Sequence, residues 1–159
     1  MITLKLPDGS TRQVPVGTGS KDVAESIGKR LAQAAIAAKV DGIIVDLERE
    51  LPSKEESTFQ ILTEKDPDAL EVLRHSCAHI MARAVMRLFP NTQLAFGPAT
   101  ETGFYYDIES ATPIREEDFP RIEEEMRKIV EKAEPFERFE RSTSEGRELV
   151  NDLKQDYKV

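Results

Sequence analysis

The sequence has no tryptophan, one cysteine and two histidines, and only 6% of its residues are aromatic. A single cysteine cannot close an internal disulfide, which excludes a disulfide scaffold and fits a reducing compartment. Two imidazoles are too few for an all-histidine metal cage. No apolar run approaches the roughly 20 residues that a bilayer-spanning helix needs. The opening Met1-Ile2-Thr3-Leu4-Lys5 has no basic segment leading into an apolar one, so it reads as the beginning of structure rather than as a signal peptide. Internal repeats and low-complexity tracts are also missing.

What is present is charge and aliphatic bulk. Of 159 residues, 33% are charged and 39% hydrophobic, enough for one large domain or two small ones. The net charge of −8 is uneven: residues 1–65 hold 9 Lys and Arg against 10 Asp and Glu, and residues 66–159 hold 13 against 20. This balance argues against nucleic-acid binding through a broadly basic surface. Any RNA contact would have to be local and shape-directed, or supplied by further sequence.

Patterning divides the chain in two. Ile2, Leu4 and Leu6 alternate with Thr3 and Lys5, Pro7-Asp8-Gly9-Ser10 is a turn, and Arg12–Val16 resumes as a second strand. Ser20 suits the N-cap of a short helix with Val23, Ala24 and Ile27 on one face and Gly28 near its end. Ile36–Val40 and Ile43–Leu47 are separated by Asp41-Gly42, a pair suited to a type I′ hairpin. Thr58–Leu62 is a last strand, and the Ala-rich run 32–38 is left open between helix and strand. The result is a ββαβββ-like order, a small mixed sheet crossed by a helix. Glu64–Asp68 is polar and contains Pro67, and so predicts a joint between domain 1–63 and domain 69–159.

The second part opens with the longest helix signal, Ala69–Phe89, capped by Asp66 or Asp68 and stopped by Pro90. Leu94–Phe96 and Phe104–Ile108 read as extended, around a loop bracketed by Gly97-Pro98 and Thr102-Gly103. Asp118–Ala133 predicts a helix with Phe119, Ile122, Met126, Ile129, Val130 and Ala133 as its apolar stripe and Pro120 in its first turn. Phe136 and Phe139 lie in a short extended piece. Ser142 and Glu145 make a capping-box signature for a further helix carrying Leu149, Val150 and Leu153. Tyr157-Lys158-Val159 begins a strand.

Both histidines fall in Arg74-His75-Ser76-Cys77-Ala78-His79. A spacing of four stacks them on one helical face. Cys77 lies about 200° from His75 at roughly 100° per residue, so it belongs with Leu70, Leu73, Ala84 and Leu88 on the core stripe. It cannot join the pair at a metal or act as its nucleophile. Val72, Ala78, Ala82 and Met86 beside the histidines indicate a helix covered on both faces, or lining a cleft on one. Three readings of the pair stay open on spacing alone: an ordinary structural pair, a metal pair, and a pair for proton transfer or substrate positioning. The metal reading lacks the Glu of a His-Glu-x-x-His motif and a third ligand.

The N-terminal residues Leu6-Pro7-Asp8-Gly9-Ser10, Asp22-Val23-Ala24 with Ile27, and Val40-Asp41-Gly42 resemble the TGS domain, a ubiquitin-like β-grasp module. The later segments Arg74–His79, Ala95-Phe96-Gly97-Pro98, Gly103-Phe104-Tyr105-Tyr106-Asp107 and Tyr157-Lys158-Val159 resemble the editing domain of the threonyl-tRNA synthetase family. The resemblance implies an α+β chain: a TGS β-grasp domain, then the first part of an α+β editing domain. It implies that His75 and His79 are half of a site hydrolysing serine wrongly attached to threonine tRNA, that Tyr106 lines it, and that Lys158 handles the attacking water or the terminal ribose. The family's other half-site, a Cys-x-x-x-His segment, is not in these residues. The resemblance also implies a cytoplasmic, homodimeric ligase with threonine tRNA as partner and no membrane. No cofactor is expected in this part, with ATP, magnesium and zinc serving an aminoacylation domain outside it. Two other functions stay in play, a non-catalytic RNA- or protein-binding module and the N-terminal part of a nucleoside-kinase-like fusion.

Overall fold

The computed structural model describes residues 1–134 and 139–155. The chain clusters into two compact units, 1–73 and 74–159. In the first, β1 (Ile2–Lys5) and β2 (Thr11–Val14) form the expected antiparallel hairpin. Asp8 holds its turn by accepting from the Ser10 backbone N–H at 2.9 Å and the Ser10 hydroxyl at 2.6 Å.

Helix α1 (Ser20–Ile27) starts differently from the expectation that Ser20 caps it. Gly19 is the cap residue, and the Asp22 carboxylate accepts its N–H at 3.1 Å. Ser20 is drawn inward because its own N–H donates to the Arg49 carbonyl beside the Gly19–Glu50 bridge. Its buried hydroxyl finds no partner among the described residues. The Ala-rich run divides: α2 (Lys29–Ala34) takes its first part and β3 (Ala37–Val40) its second. Between β3 and β4 (Ile43–Val45), Asp41 and Gly42 have φ of +49° and +83°, the two left-handed residues of a type I′ turn. Asp41 also accepts the Thr58 N–H at 2.9 Å and the Lys54 ammonium at 2.9 Å.

β5 (Glu56–Leu62) completes a sheet of order β2-β1-β5-β3-β4, in which β1 and β5 are parallel and the other pairs antiparallel. Alternation sends Ile2, Leu4, Ala38, Val40 and Phe59 to one face, where Val23 of α1 closes the core. The opposite face presents Ala37 and Leu62, which pack with Ala69. Residues 64–68, expected as a polar joint, are fastened to this unit by hydrogen bonds. Asp66 accepts from the Thr63 N–H at 2.8 Å and from the Gln60 amide at 3.0 Å, and Lys39 pairs with Asp68 at 2.6 Å.

Helix α3 (Pro67–Leu88) is the longest element and runs from the first unit into the second. Pro67 fits its first turn, where no intrahelical N–H is needed. Of the predicted stripe Leu70, Leu73, Cys77, Ala84 and Leu88, packing keeps Ala84 and Leu88 in the core and corrects the first three. Leu70 and Leu73 are each 42% exposed and Cys77 is half-buried, whereas Ala78, Ala82, Ala84, Val85 and Phe89 are buried. Small and apolar residues occupy every side of α3, so periodicity could not choose between stripes. In the second unit the choice falls to α4 (Phe119–Glu131), whose Ile122 and Ile129 pack with Ala84, Val85 and Phe89. Phe119 and Val130, expected on that stripe, are more than half exposed. A 3-10 turn, Glu116–Asp118, precedes α4.

Strands β6 (Gln93–Leu94) and β7 (Ile108–Glu109) pair antiparallel, and an Ala99–Phe104 bridge extends them. The segment read as a loop is therefore the upper part of one hairpin. Helix α5 (Thr143–Asp152) has the predicted box, Ser142 N–H donating to Glu145 at 2.9 Å. After it, Gln155 is buried: its amide oxygen accepts the Leu94 N–H at 2.9 Å and its amide nitrogen donates to the Thr92 carbonyl at 3.0 Å. Phe136 and the expected strand 157–159 lie outside the described residues, and Phe139 is exposed and in no strand.

Two stability tests follow from these contacts. The hydrogen bond from Lys54, then that from the Thr58 N–H, hold the Asp41 carboxyl below the ordinary carboxylate range. A depressed folded value contributes stability above the unfolded pKa of about 3.9 and loses it as pH falls through the folded value. Asp41→Asn keeps a residue tolerant of positive φ, so it is expected to lower the melting temperature at pH 6 and to converge with the parent towards pH 2. A melting difference independent of pH would contradict this. Gln155→Ala leaves a backbone donor and acceptor of the hairpin unpaired, at a cost of about 1–3 kcal/mol. Faster hydrogen exchange at the Leu94 amide is the expected sign, and unchanged protection would count against it.

Candidate functional site

The second unit brings together three of the four residues singled out from sequence. One helical turn apart on α3, His75 and His79 approach to 3.1 Å between their Nε2 atoms, with ring centroids 4.6 Å apart and planes at 88°. At that separation one Nε2 can donate an N–H to the other, the donor being set by the tautomer. Both side chains are exposed, as open to a substrate as to water. Tyr106, on the returning limb of the hairpin, makes a T-shaped ring contact with His79, centroids 6.3 Å apart and planes at 72°. Lys158 lies outside the described residues.

Local contacts hold these groups in place. Arg74, immediately before His75, donates to the Thr100 carbonyl at 3.2 Å and so ties the hairpin end to α3. One turn beyond His79, Arg83 makes an ion pair with Glu134. The Arg83 guanidinium, chiefly through that hydrogen bond, keeps the Glu134 carboxyl below the ordinary range. His79, Ile80, Arg83, Ile129, Val130 and Glu134 line a cavity of about 320 Å³, near the lower end of small-molecule sites. Apolar walls with an imidazole at one side and an ion pair at another suit a small polar ligand rather than a large hydrophobic one.

Cys77 faces elsewhere. It borders a separate groove of about 510 Å³ with Ile80, Met126 and Val130, flanked by Glu123, Arg127 and Glu131. The helix-face argument against its joining the histidines therefore agrees with the geometry. Among the described residues, no three His, Cys, Asp or Glu side chains come together as a metal-ligand group. No step is assigned to zinc in this part of the chain.

Sequence reasoning missed three contributors. The Arg74 bond to Thr100 joins residues 26 apart. The Arg83–Glu134 pair spans 51 and the Gln155 contact to Leu94 spans 61. Arginines at 74 and 83 flanking the histidines were visible as charges, but their partners are set by the fold.

Comparison with known proteins identifies the family to which this chain is similar. Residues 2–63 match the TGS domain family, so the first unit contains a TGS domain, a β-grasp-like mixed sheet. Over the whole chain, the threonine–tRNA ligase of Rhodopirellula baltica is 48% identical across 99% of this chain and 22% of its own length. Those of Pelobacter propionicus and Symbiobacterium thermophilum are 47% and 45% identical, across 99% and 100% of this chain and 24% of their own lengths. The chain thus corresponds to the N-terminal region of threonine–tRNA ligases, TGS domain included, and spans about a quarter of the length of these relatives. Among the described residues, no helix is long and apolar enough to cross a membrane.

Proposed function

We propose that the second unit serves post-transfer editing, the hydrolysis of serine from mischarged threonine tRNA, within a threonine–tRNA ligase. The observation that carries this reading is the imidazole pair at 3.1 Å with Tyr106 against it, beside a small cavity. Threonine and serine differ by one methyl group, which binding discriminates by only about 1–3 kcal/mol. A second site that admits serine and excludes threonine restores the accuracy that binding cannot supply.

The chemistry suits the groups. A positioned water gives a proton to an imidazole lone pair as its oxygen adds to the seryl carbonyl carbon. Collapse of the tetrahedral intermediate breaks the ester C–O bond, and the departing ribose oxygen takes the proton back. The contact between His75 and His79 lets the proton be held by the pair. Tyr106 stands against His79, its ring centroid 6.3 Å from that of the imidazole. The developing oxyanion needs a charge stabiliser, the role proposed for Lys158. Serine hydrolysis by the family also uses a Cys-x-x-x-His segment, so these residues alone are expected to be inactive.

In the whole ligase, threonine attachment with ATP, magnesium and zinc belongs to other domains, which also bind the body of threonine tRNA and form the homodimer. The acidic balance of this chain is consistent with an RNA-binding surface carried mainly elsewhere. A cytoplasmic location accords with this role.

In a full-length ligase carrying this region, His75→Ala and His79→Ala are each expected to slow seryl-tRNA hydrolysis roughly 100-fold or more while sparing threonylation. Seryl-tRNA hydrolysis at the parent rate in both variants would sink the assignment. The same assay with an unaltered ligase lacking only residues 1–63 tests whether the TGS domain takes part.

A further inference from the structure

The hairpin that carries Tyr106 slips by one residue. Continuing the β6–β7 register from Leu94–Ile108 would set Phe96 opposite Tyr106 and Ala99 opposite Gly103. Instead Ala99 bridges Phe104. The extra residue sits where Ala95 N–H donates to the Asp107 carbonyl at 3.0 Å and Asp107 N–H donates to the Phe96 carbonyl at 2.7 Å. Ala95 and Phe96 together face Asp107, which is a β-bulge, a device that re-aims side chains next to functional sites.

The slip puts Gly97 across from Tyr106 and leaves Phe96 61% exposed. The Tyr106 ring lies directly on the Gly97 backbone: a Cβ placed there would come within 2.6 Å of the ring Cγ and Cε2, closer than any real Cβ contact. Among the glycines of the described residues, the others have no such neighbour, and the nearest contact is 3.4 Å at Gly19. Gly97 is not needed for a left-handed backbone, since it is not among the glycines of positive φ. Its requirement is for close approach. The ring that fills that space is the one in T-shaped contact with His79.

We infer that Gly97 is a positioning residue: the bulge and the missing side chain seat Tyr106 at the depth that sets its ring against His79. The effect on serine hydrolysis rests on the editing function proposed above, whereas the seating of the ring does not. Any side chain at position 97 would lift the ring and change the wall beside the imidazole pair.

The test uses the 159-residue chain with Gly97→Ala and Tyr106→Leu, singly and together, and NMR of the His79 ring protons, identified by their loss in His79→Gln. Gly97→Ala is expected to shift these resonances through the altered ring current of Tyr106, and to add no shift once Tyr106 is Leu. Absence of a shift overturns the inference. So does an equal shift with and without the tyrosine, which would locate the effect in the backbone. If Gly97→Ala fails to fold, Tyr106→Leu decides alone, since unmoved His79 signals would show that the ring is not seated there. None of these readings needs turnover, so they stand apart from the fate of the histidine variants. In a full-length ligase, Gly97→Ala is expected to reduce the kcat of seryl-tRNA hydrolysis roughly 10- to 100-fold, with a smaller change in KM. An unchanged kcat there would remove Gly97 from the editing function.

Discussion

The contact between the His75 and His79 imidazoles exists because an α-helix repeats every 3.6 residues. Side chains four apart stand over one another, which brings the two rings within reach, and they meet at 3.1 Å. Everything else in the second unit gives this pair surroundings. The packing of α4 against the Ala84–Val85–Phe89 side of α3 fixes which way the histidine face points. Arg74 then ties the hairpin beside it, and the hairpin delivers Tyr106.

This division of labour places rigid and tunable parts in different elements. The pair is set by helix geometry, which small changes in packing do not alter. The wall that faces it comes from a short, irregular hairpin whose ladder is interrupted by a bulge and whose base is completed by the Gln155 side chain. For the editing role proposed above, discrimination by a single methyl group would depend on the position of these walls to within a fraction of that methyl. The hairpin is where such adjustment can be made without disturbing the pair.

The first unit shows a parallel economy. Its sheet follows from alternation and from two turns that demand particular residues, Asp8-Gly9 and Asp41-Gly42. Less visible is the use of its second face. Ala37 and Leu62 pack with Ala69, and Asp66 is turned back onto Thr63 and Gln60. A segment with few apolar residues is held by hydrogen bonds and one ion pair, which hydrophobic patterning does not register.

The succession of strands along the first unit, the type I′ turn at Asp41-Gly42, the Ser142–Glu145 box and the placing of His75 and His79 on one helical face were determined by sequence alone. Each depends on dihedral preference or on spacing within a few residues. Tertiary structure decided what depends on a distant partner. It chose Gly19 over Ser20 as a cap, because Arg49 and Glu50 anchor that turn. Exposure of Leu70 and Leu73 and burial of Ala78 and Ala82 were likewise settled by the surroundings of α3, since small and apolar residues ring the helix. The bulge that seats Tyr106 on Gly97 was hidden for the same reason. Register is a property of two strands together, and a one-residue slip leaves no mark in either strand read alone.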